Sequence, residues 1–169
     1  SEAASRLTGN ALGATPVQAI ARPAFAGCIR CTITAKLRFE QFSQGNARLY
    51  AWYLQPGTYV ELVVDEFTNN WTLRQLVAGA VVAEVTINQA TLSNRDYTVQ
   101  LDYQGDDISL SIDGNLAALL TPAAGTTPDG TVGFEVSSHR VAFDLIKVVT
   151  TTPGVAQPNA MFANGFEGL

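Results

Sequence analysis

Hydrophobic and polar residues alternate with a period of two through most of residues 30–149. Residues 32–39 are typical, because the odd-numbered positions are apolar and the even-numbered positions are polar or charged. Successive side chains of a strand point to opposite faces of a sheet, so this pattern predicts strands that each bury one face. No segment keeps the 3.6-residue period of an amphipathic helix over a window of about 11 residues.

Turn residues divide this region into nine or ten strands. Asp113-Gly114 is the strongest turn signal, because a type I′ turn requires positive φ at both central residues. Strands that recur every ~8–12 residues indicate an antiparallel sandwich or barrel, and alternating faces favour two stacked sheets. We therefore predict an all-β fold, an antiparallel two-sheet β-sandwich of the jelly-roll kind. The expected strands are 32–39, 47–54, 59–66, 71–77, 81–87, 96–103, 108–112, 116–120, 131–137 and 141–149.

The length of 169 residues suits one domain. We expect residues 1–149 to form a single sandwich domain with an N-terminal arm. Residues 150–159 are mostly polar, contain two prolines and lack periodicity, so residues 150–169 are expected to form a linker and C-terminal tail.

Charge and hydropathy exclude two classes of partner. Ten basic and fifteen acidic residues give a net charge of −5, and no basic stripe is present, so we expect no nucleic-acid partner. No apolar run reaches the ~18–20 residues that span a bilayer, so membrane insertion is not expected either.

The two cysteines, Cys28 and Cys31, form a CxxC motif. A zinc site would need a second such pair or several histidines, and the chain has one histidine. A redox CxxC normally opens a helix, whereas Cys31 opens an alternating run. We expect a short-range disulfide between the two, with a pair of free thiols as the alternative. A disulfide would place the protein in an oxidising compartment.

Several short motifs occur in a consistent order, among them Trp71-Thr-Leu, Ile112-Asp-Gly114, Gly130-Thr-Val-Gly-Phe134 and Ala142-Phe-Asp144. This order, over residues 28–149, resembles the laminin-G-like and concanavalin A-like jelly rolls of the lectin–glucanase superfamily. The resemblance implies two stacked antiparallel sheets. Its members include lectins, carbohydrate-binding modules, glycosidases and spacer domains, so the resemblance implies the fold more firmly than the function.

The resemblance also bears on metals and on location. Related jelly rolls often hold a structural calcium, and Asp144 stands where their closing-strand aspartate would be. Calcium needs six to eight oxygen ligands, and Glu2 is the only acidic residue near the N-terminus, so we expect no cofactor and keep calcium at Asp144 as a weaker alternative. The tail, residues 161–167, resembles the Phe-x-x-Gly-Phe-Glu endings of many secreted proteobacterial proteins. It implies a secreted or cell-surface bacterial protein, although Phe162 and Phe166 could instead dock on the sandwich.

The acidic residues do not match a glycosidase. Jelly-roll glucanases carry Glu-x-Asp-x-x-Glu on one strand, whereas this chain has Glu61-Leu-Val-Val-Asp65-Glu66. Glu61 and Asp65 share a face but lie roughly 13 Å apart along a strand. Retaining hydrolysis needs carboxyl groups ~5–5.5 Å apart, so we expect solvated charges and no catalysis.

One strand is expected to present a binding surface. Alternation places Arg48, Tyr50 and Trp52 on its outward face and leaves Tyr53 on the core face. If the Pro-Gly turn pairs this strand with the next, Tyr59 and Glu61 join the same surface. Aromatic rings contact the C–H face of a sugar, and arginine and glutamate bind its hydroxyl groups.

Two other interpretations of this surface remain. Loops or the N-terminal arm could cover it as a second, minor core, or it could bind a protein. The most favoured function is a non-catalytic, secreted or cell-surface carbohydrate-binding module with a glycan as partner. The alternatives are a protein-interaction, adhesion or spacer domain of a bacterial surface protein and, less favoured, a glycan-processing enzyme. The oligomeric state stays open, and Trp71 is expected in the core.

Overall fold

The computed structural model of the protein describes residues 7–11, 15–20, 30–41, 45–137, 139–150 and 160–161. These residues form thirteen strands and no helix. Ten of these strands coincide, within a few residues at each end, with the ten alternating runs of the sequence. The strands are β1 (Leu7–Ala11), β2 (Val17–Ile20), β3 (Cys31–Gln41), β4 (Asn46–Gln55), β5 (Thr58–Asp65), β6 (Asn70–Val77), β7 (Ala80–Asn88), β8 (Asp96–Tyr103), β9 (Ile108–Ile112), β10 (Asn115–Leu120), β11 (Thr131–Ser137), β12 (His139–Thr150) and β13 (Ala160–Met161).

The strands form two antiparallel sheets, which confirms the predicted two-sheet sandwich. One sheet has seven strands in the order β1-β12-β3-β8-β9-β10, with β13 also paired to β12. The other has six strands in the order β2-β11-β4-β5-β6-β7. The two short strands β1 and β2, which lie in the predicted N-terminal arm, therefore extend one edge of each sheet. The two residues of β13 lie in the predicted tail and pair with Lys147 and Val148.

The core lies between the two sheets and is built from the alternate apolar residues of each strand. Trp71 is fully buried there, as expected, and its indole N–H donates to the hydroxyl of Thr91 over 2.9 Å. Its ring contacts Tyr97 from the facing sheet edge-on, with centroids 5.3 Å apart. The core also includes Phe39, Leu49, Leu62, Leu73, Leu101, Leu110, Phe134 and Phe143.

The turn chemistry follows the sequence closely. Asp113 and Gly114 adopt φ values of 52° and 81°, the positive pair that a type I′ hairpin requires. Ala78 and Gly79 repeat this arrangement between β6 and β7, with φ values of 49° and 85°. In the part of the chain that the structure describes, no helix has the length and apolar character to cross a bilayer.

Candidate functional site

The candidate site is the outer face of the six-stranded sheet, which we define as the face directed away from the seven-stranded sheet. Its side chains alternate with the core residues of β4, β5, β6 and β11. Strand register places Tyr50 opposite Glu61, and Glu61 opposite Arg74, so these three side chains form one row across the sheet. Arg48 and Glu135 face each other in the next row.

Glu61 is at the centre of an ion network on this face. Its side chain is 0% exposed, although it belongs to the outer face of a sheet. Arg74 places both Nε and Nη2 2.6 Å from Glu61 Oε1. Arg48 Nη1 lies 3.7 Å from Oε2, which has no hydrogen-bond partner. The two guanidinium side chains are 25% and 27% exposed, so each has part of its surface open to solvent.

A second carboxylate completes the network. Glu135 Oε1 lies 3.5 Å from Arg48 Nε, and its Oε2 accepts a 2.9 Å hydrogen bond from the Tyr50 hydroxyl. The side-chain amide of Gln18, on the edge strand β2, donates to the same Oε2 over 3.4 Å. The network therefore joins side chains of β2, β11, β4, β5 and β6 and fixes their positions relative to one another.

The network and its burial change the acidity of three groups. Burial lowers the pKa of Arg48, but the carboxylates of Glu61 and Glu135 outweigh it, so the pKa of Arg48 lies above its usual value. Burial and the adjacent Glu135 carboxylate raise the pKa of Tyr50 well above its usual range. Burial and Glu61 also raise the pKa of Tyr59. Both phenols therefore remain neutral hydrogen-bonding groups at physiological pH.

Trp52 is not on this face, so the outward orientation expected from alternation is wrong. Its side chain is 1% exposed and lies in the core, where its ring meets Tyr103 edge-on with centroids 5.9 Å apart. A β-bulge is the reason. Tyr50 lies opposite Gly133 and Tyr53 opposite Thr131, so β4 has one residue more than the facing part of β11. Trp52 adopts a φ of 51°, and both it and the preceding Ala51 point into the core.

Tyr53 takes the outer position that Trp52 was expected to occupy, so its predicted core position is also wrong. Its ring stacks on that of Tyr59, with centroids 5.4 Å apart and an interplanar angle of 8°. Tyr50 contacts both rings edge-on, at 5.4 Å from Tyr53 and 5.0 Å from Tyr59. These three tyrosines form a contiguous aromatic cluster on the outer face.

The members of this cluster differ in how far they are accessible. Tyr50 lies on the outer face as expected, but it is only 2% exposed, so the expectation that its ring is open to water is wrong. Tyr53 and Tyr59 are half-buried and keep part of their surface accessible. Tyr53 and Tyr59 can therefore offer aromatic surface to a ligand. Tyr50 is buried and contacts both of their rings.

The expected site residues Arg48, Tyr50, Tyr59 and Glu61 are thus brought together, and the structure adds Arg74, Glu135 and Tyr53. That these side chains contact a ligand stays a prediction. Glu61 and Glu66, both expected as solvated charges, are instead buried at 0% and 2% exposure.

The structure describes one residue of the predicted disulfide and one residue of the predicted calcium site. Cys31 is disulfide-bonded, and Cys28 lies outside the described residues. Among those that are described, no cluster of three or more His, Cys, Asp or Glu side chains could hold a metal ion. Asp144 lies on β12, in the seven-stranded sheet, and Glu2 is outside the described residues. Calcium at Asp144 stays a prediction.

No protein-family model matches the chain, and no curated protein matches its sequence. Solved structures do match its fold. The carbohydrate-binding module CBM66 from Bacillus subtilis superposes with a TM-score of 0.71 and 13% identity, covering 87% of this chain and 92% of that one. The Caenorhabditis elegans galectin LEC-6 has a TM-score of 0.61 and 15% identity, with coverage of 85% and 95%.

A toad ovary galectin solved with thio-digalactose gives a TM-score of 0.59 at 13% identity, and covers 81% of this chain and 100% of that one. Identities this low support the fold alone. The laminin-G-like part of the sequence resemblance stays a prediction. The chain therefore has the jelly-roll β-sandwich fold that is found in lectin-like carbohydrate-binding proteins.

Proposed function

We propose that the outer face of the six-stranded sheet binds a carbohydrate and that the chain is a non-catalytic, lectin-like module. The observation that carries this proposal is the half-buried, parallel pair of Tyr53 and Tyr59 beside a fixed network of guanidinium and carboxylate groups. An aromatic surface takes the apolar face of a sugar ring, and charged side chains next to it bind the hydroxyl groups. The solved lectin-like structures that share this fold support the same class of ligand.

The network is already organised for such contacts. Arg74 is held by Glu61 through two contacts of 2.6 Å, so little side-chain entropy is lost when its remaining N–H groups bind a ligand. Two guanidinium groups face two carboxylates, those of Glu61 and Glu135, and the formal charge of the network is therefore zero. A neutral glycan suits this balance better than a sulfated or uronic-acid polymer, which would need uncompensated positive charge.

The proposed role is binding without catalysis. Glu61 is 0% exposed and is held by Arg74 through two short contacts to the same oxygen, so its carboxylate cannot reach a glycosidic bond at the surface. We also propose a secreted or cell-surface location. It is supported by the disulfide at Cys31, because disulfides persist mainly in oxidising compartments.

Affinity electrophoresis in gels that contain single neutral polysaccharides tests the proposal. The panel comprises glucans, galactans, mannans, xylans and fructans, with thio-digalactose as a soluble competitor. We expect at least one polymer to retard the protein, and Tyr53→Ala to weaken that retention about tenfold, equivalent to about 1.4 kcal/mol.

Phe67→Ala is the matched control, because Phe67 is an aromatic residue that is 69% exposed in the turn after β5, and its loss should leave retention unchanged. Sulfated versions of the same polymers should be retained less. Failure of every neutral polymer to bind, or equal effects of the two substitutions, would refute the proposal.

A second candidate function is a protein-interaction module. It is favoured by the edge of each sheet that lies opposite β1 or β2. β7 and β10 are the terminal strands of their sheets, and they expose Val81, Val82, Leu116 and Leu119. An apolar edge strand without lysine or proline is a ready template for strand pairing. Sedimentation velocity separates the candidates: a stable oligomer that dissociates in Val82→Lys and binds no glycan supports interaction, whereas a monomer supports the lectin-like role.

A further inference from the structure

The six-stranded sheet ends at β7, a strand of nine residues. The other strands that end a sheet, β1, β2 and β10, have five, four and six residues. Among the described strands β7 pairs with β6 alone, so alternate residues direct their backbone N–H and C=O groups away from the sheet. Glu84 is the one charged residue of β7, which contains neither lysine nor proline, the residues that usually protect such an edge. β7 can therefore accept a further strand.

The side chains of β7 form an apolar row on one face and a polar row on the other. Ala83, Val85 and Ile87 pack against the core between the sheets, but they are only partly buried because β7 is the last strand. Glu84 and Thr86 lie on the outer face and are exposed. A strand added at this edge would bury the apolar row more completely, and this burial would favour association.

A β-bulge limits the part of β7 that can form a regular ladder. The register of β7 against β6 shifts at Val82, which is an extra residue, so residues 83–88 form the regular part of the strand. The edge strand of the other sheet, β10, shifts at Ala117 and keeps only residues 118–120 in regular register after the shift. Residues 83–88 are therefore the longer template for pairing.

This part of β7 is complementary to a second copy of itself. Facing residues of an antiparallel pair either both form ladder hydrogen bonds or both do not, so a two-fold axis must pass through a residue and not between two residues. With the axis at Val85, that residue lies opposite its own copy, Ala83 lies opposite Ile87, and Glu84 lies opposite Thr86. The Thr86 hydroxyl of each copy can then donate to the Glu84 carboxylate of the other, so the favourable pair occurs twice.

Charge and apolar contact distinguish this register from its neighbours. An axis at Glu84 would place two carboxylates directly opposite each other, which destabilises a sheet. An axis at Thr86 would place Ala83 opposite Gln89, so part of the apolar row would lack an apolar partner. With the axis at Val85, the two Glu84 side chains are diagonal neighbours, roughly 7–8 Å apart, and the repulsion between them is weaker.

We propose that two copies of the chain associate through β7, paired antiparallel with the two-fold axis at Val85, so that their six-stranded sheets join into one continuous sheet. The proposal rests on the protein-interaction candidate and names its partner, a second copy of this chain. The carbohydrate proposal does not depend on it. Because the joined sheet is continuous, the two outer faces would lie on the same side of the dimer, and a dimer that also binds a glycan satisfies both proposals.

Cysteine cross-linking of the full chain tests the register. Val85→Cys places each new thiol opposite its own copy, at the ~4.5–5.5 Å Cα separation of facing residues, which a disulfide can span. Glu84→Cys is the matched control, because its copies lie diagonally, beyond the ~7 Å that a disulfide can bridge. None of the described cysteines has a free thiol that could cross-link instead. On non-reducing gels after oxidation, we expect about tenfold more dimer from Val85→Cys than from Glu84→Cys.

Substitutions of Thr86 test the association without a cross-link. Thr86→Glu would place two carboxylates opposite each other at two positions and should raise the dimer Kd about fivefold, whereas Thr86→Lys would create two opposite-charge pairs and should lower it about fivefold. Thr86 is exposed, so neither change should unfold the chain.

Sedimentation velocity over a range of protein concentrations measures these constants. A parent chain that is monomeric at every concentration, equal cross-linking by the two cysteine variants, or effects of the same sign from the two Thr86 substitutions would overturn the proposal. Failure of every polysaccharide to retain the protein would refute only the function of the outer face.

Discussion

Trp52→Ala is expected to lower the free energy of unfolding by about 3–5 kcal/mol, the usual loss when a buried aromatic side chain is truncated. Trp52 is among the largest fully buried side chains and packs against Tyr103 of the facing sheet. The substitution would leave a void between the two sheets where β4 bulges. Chemical denaturation followed by circular dichroism measures this loss, because the backbone signal does not depend on the deleted indole.

The informative comparison is with a substitution at the neighbouring residue, Tyr53. Tyr53→Ala removes a half-buried ring from the outer face and should lower the free energy of unfolding by less than about 2 kcal/mol, while it weakens glycan retention. The two adjacent aromatic residues should therefore separate stability from binding. If Trp52→Ala were as stable as the parent protein, and lost glycan retention instead, the bulge and the inward orientation of Trp52 would be wrong.

The exchange of Trp52 and Tyr53 shows what alternation can and cannot predict. Strand positions followed from the period-two pattern, and the pairing of β4 with β5 followed from the Pro-Gly turn. A bulge inserts one residue and reverses the face of every residue after it within the strand. Here the side chains on both sides of the insertion are large and aromatic, so hydrophobicity does not distinguish the two orientations.

The ion network could not be predicted from the sequence, for a different reason. Tyr50 and Glu135 are 85 positions apart, and their hydrogen bond exists only because β11 pairs with β4. Which strands become neighbours in a sandwich depends on the packing of the whole domain, and one sequence gives no direct signal for it. Arg74 was missed similarly, because the register of β6 against β5 sets its partner. The residue types of the outer face could be predicted from the sequence, but the contacts between their side chains could not.

The ion network leads to a second prediction with a large effect on stability. Arg74→Met keeps the aliphatic stem of the side chain but removes the group that holds Glu61 Oε1. Glu61 would then be a fully buried carboxylate with one distant partner, Arg48, 3.7 Å away. Removing one member of a buried ion pair typically costs about 3–5 kcal/mol, and we expect about 3 kcal/mol because Arg74 is itself partly exposed.

A double-mutant cycle tests whether the loss comes from the stranded carboxylate. Glu61→Met combined with Arg74→Met removes both charges and should recover most of the stability, with a coupling of about 2–3 kcal/mol. Arg140→Met is the matched control, because Arg140 pairs with Glu40 over 2.9 Å but is half exposed, so its loss should cost less than about 1 kcal/mol. Additive losses in the cycle would mean that Glu61 is solvated in solution. In that case the outer face would lack the fixed guanidinium groups on which its proposed selectivity for a neutral glycan depends.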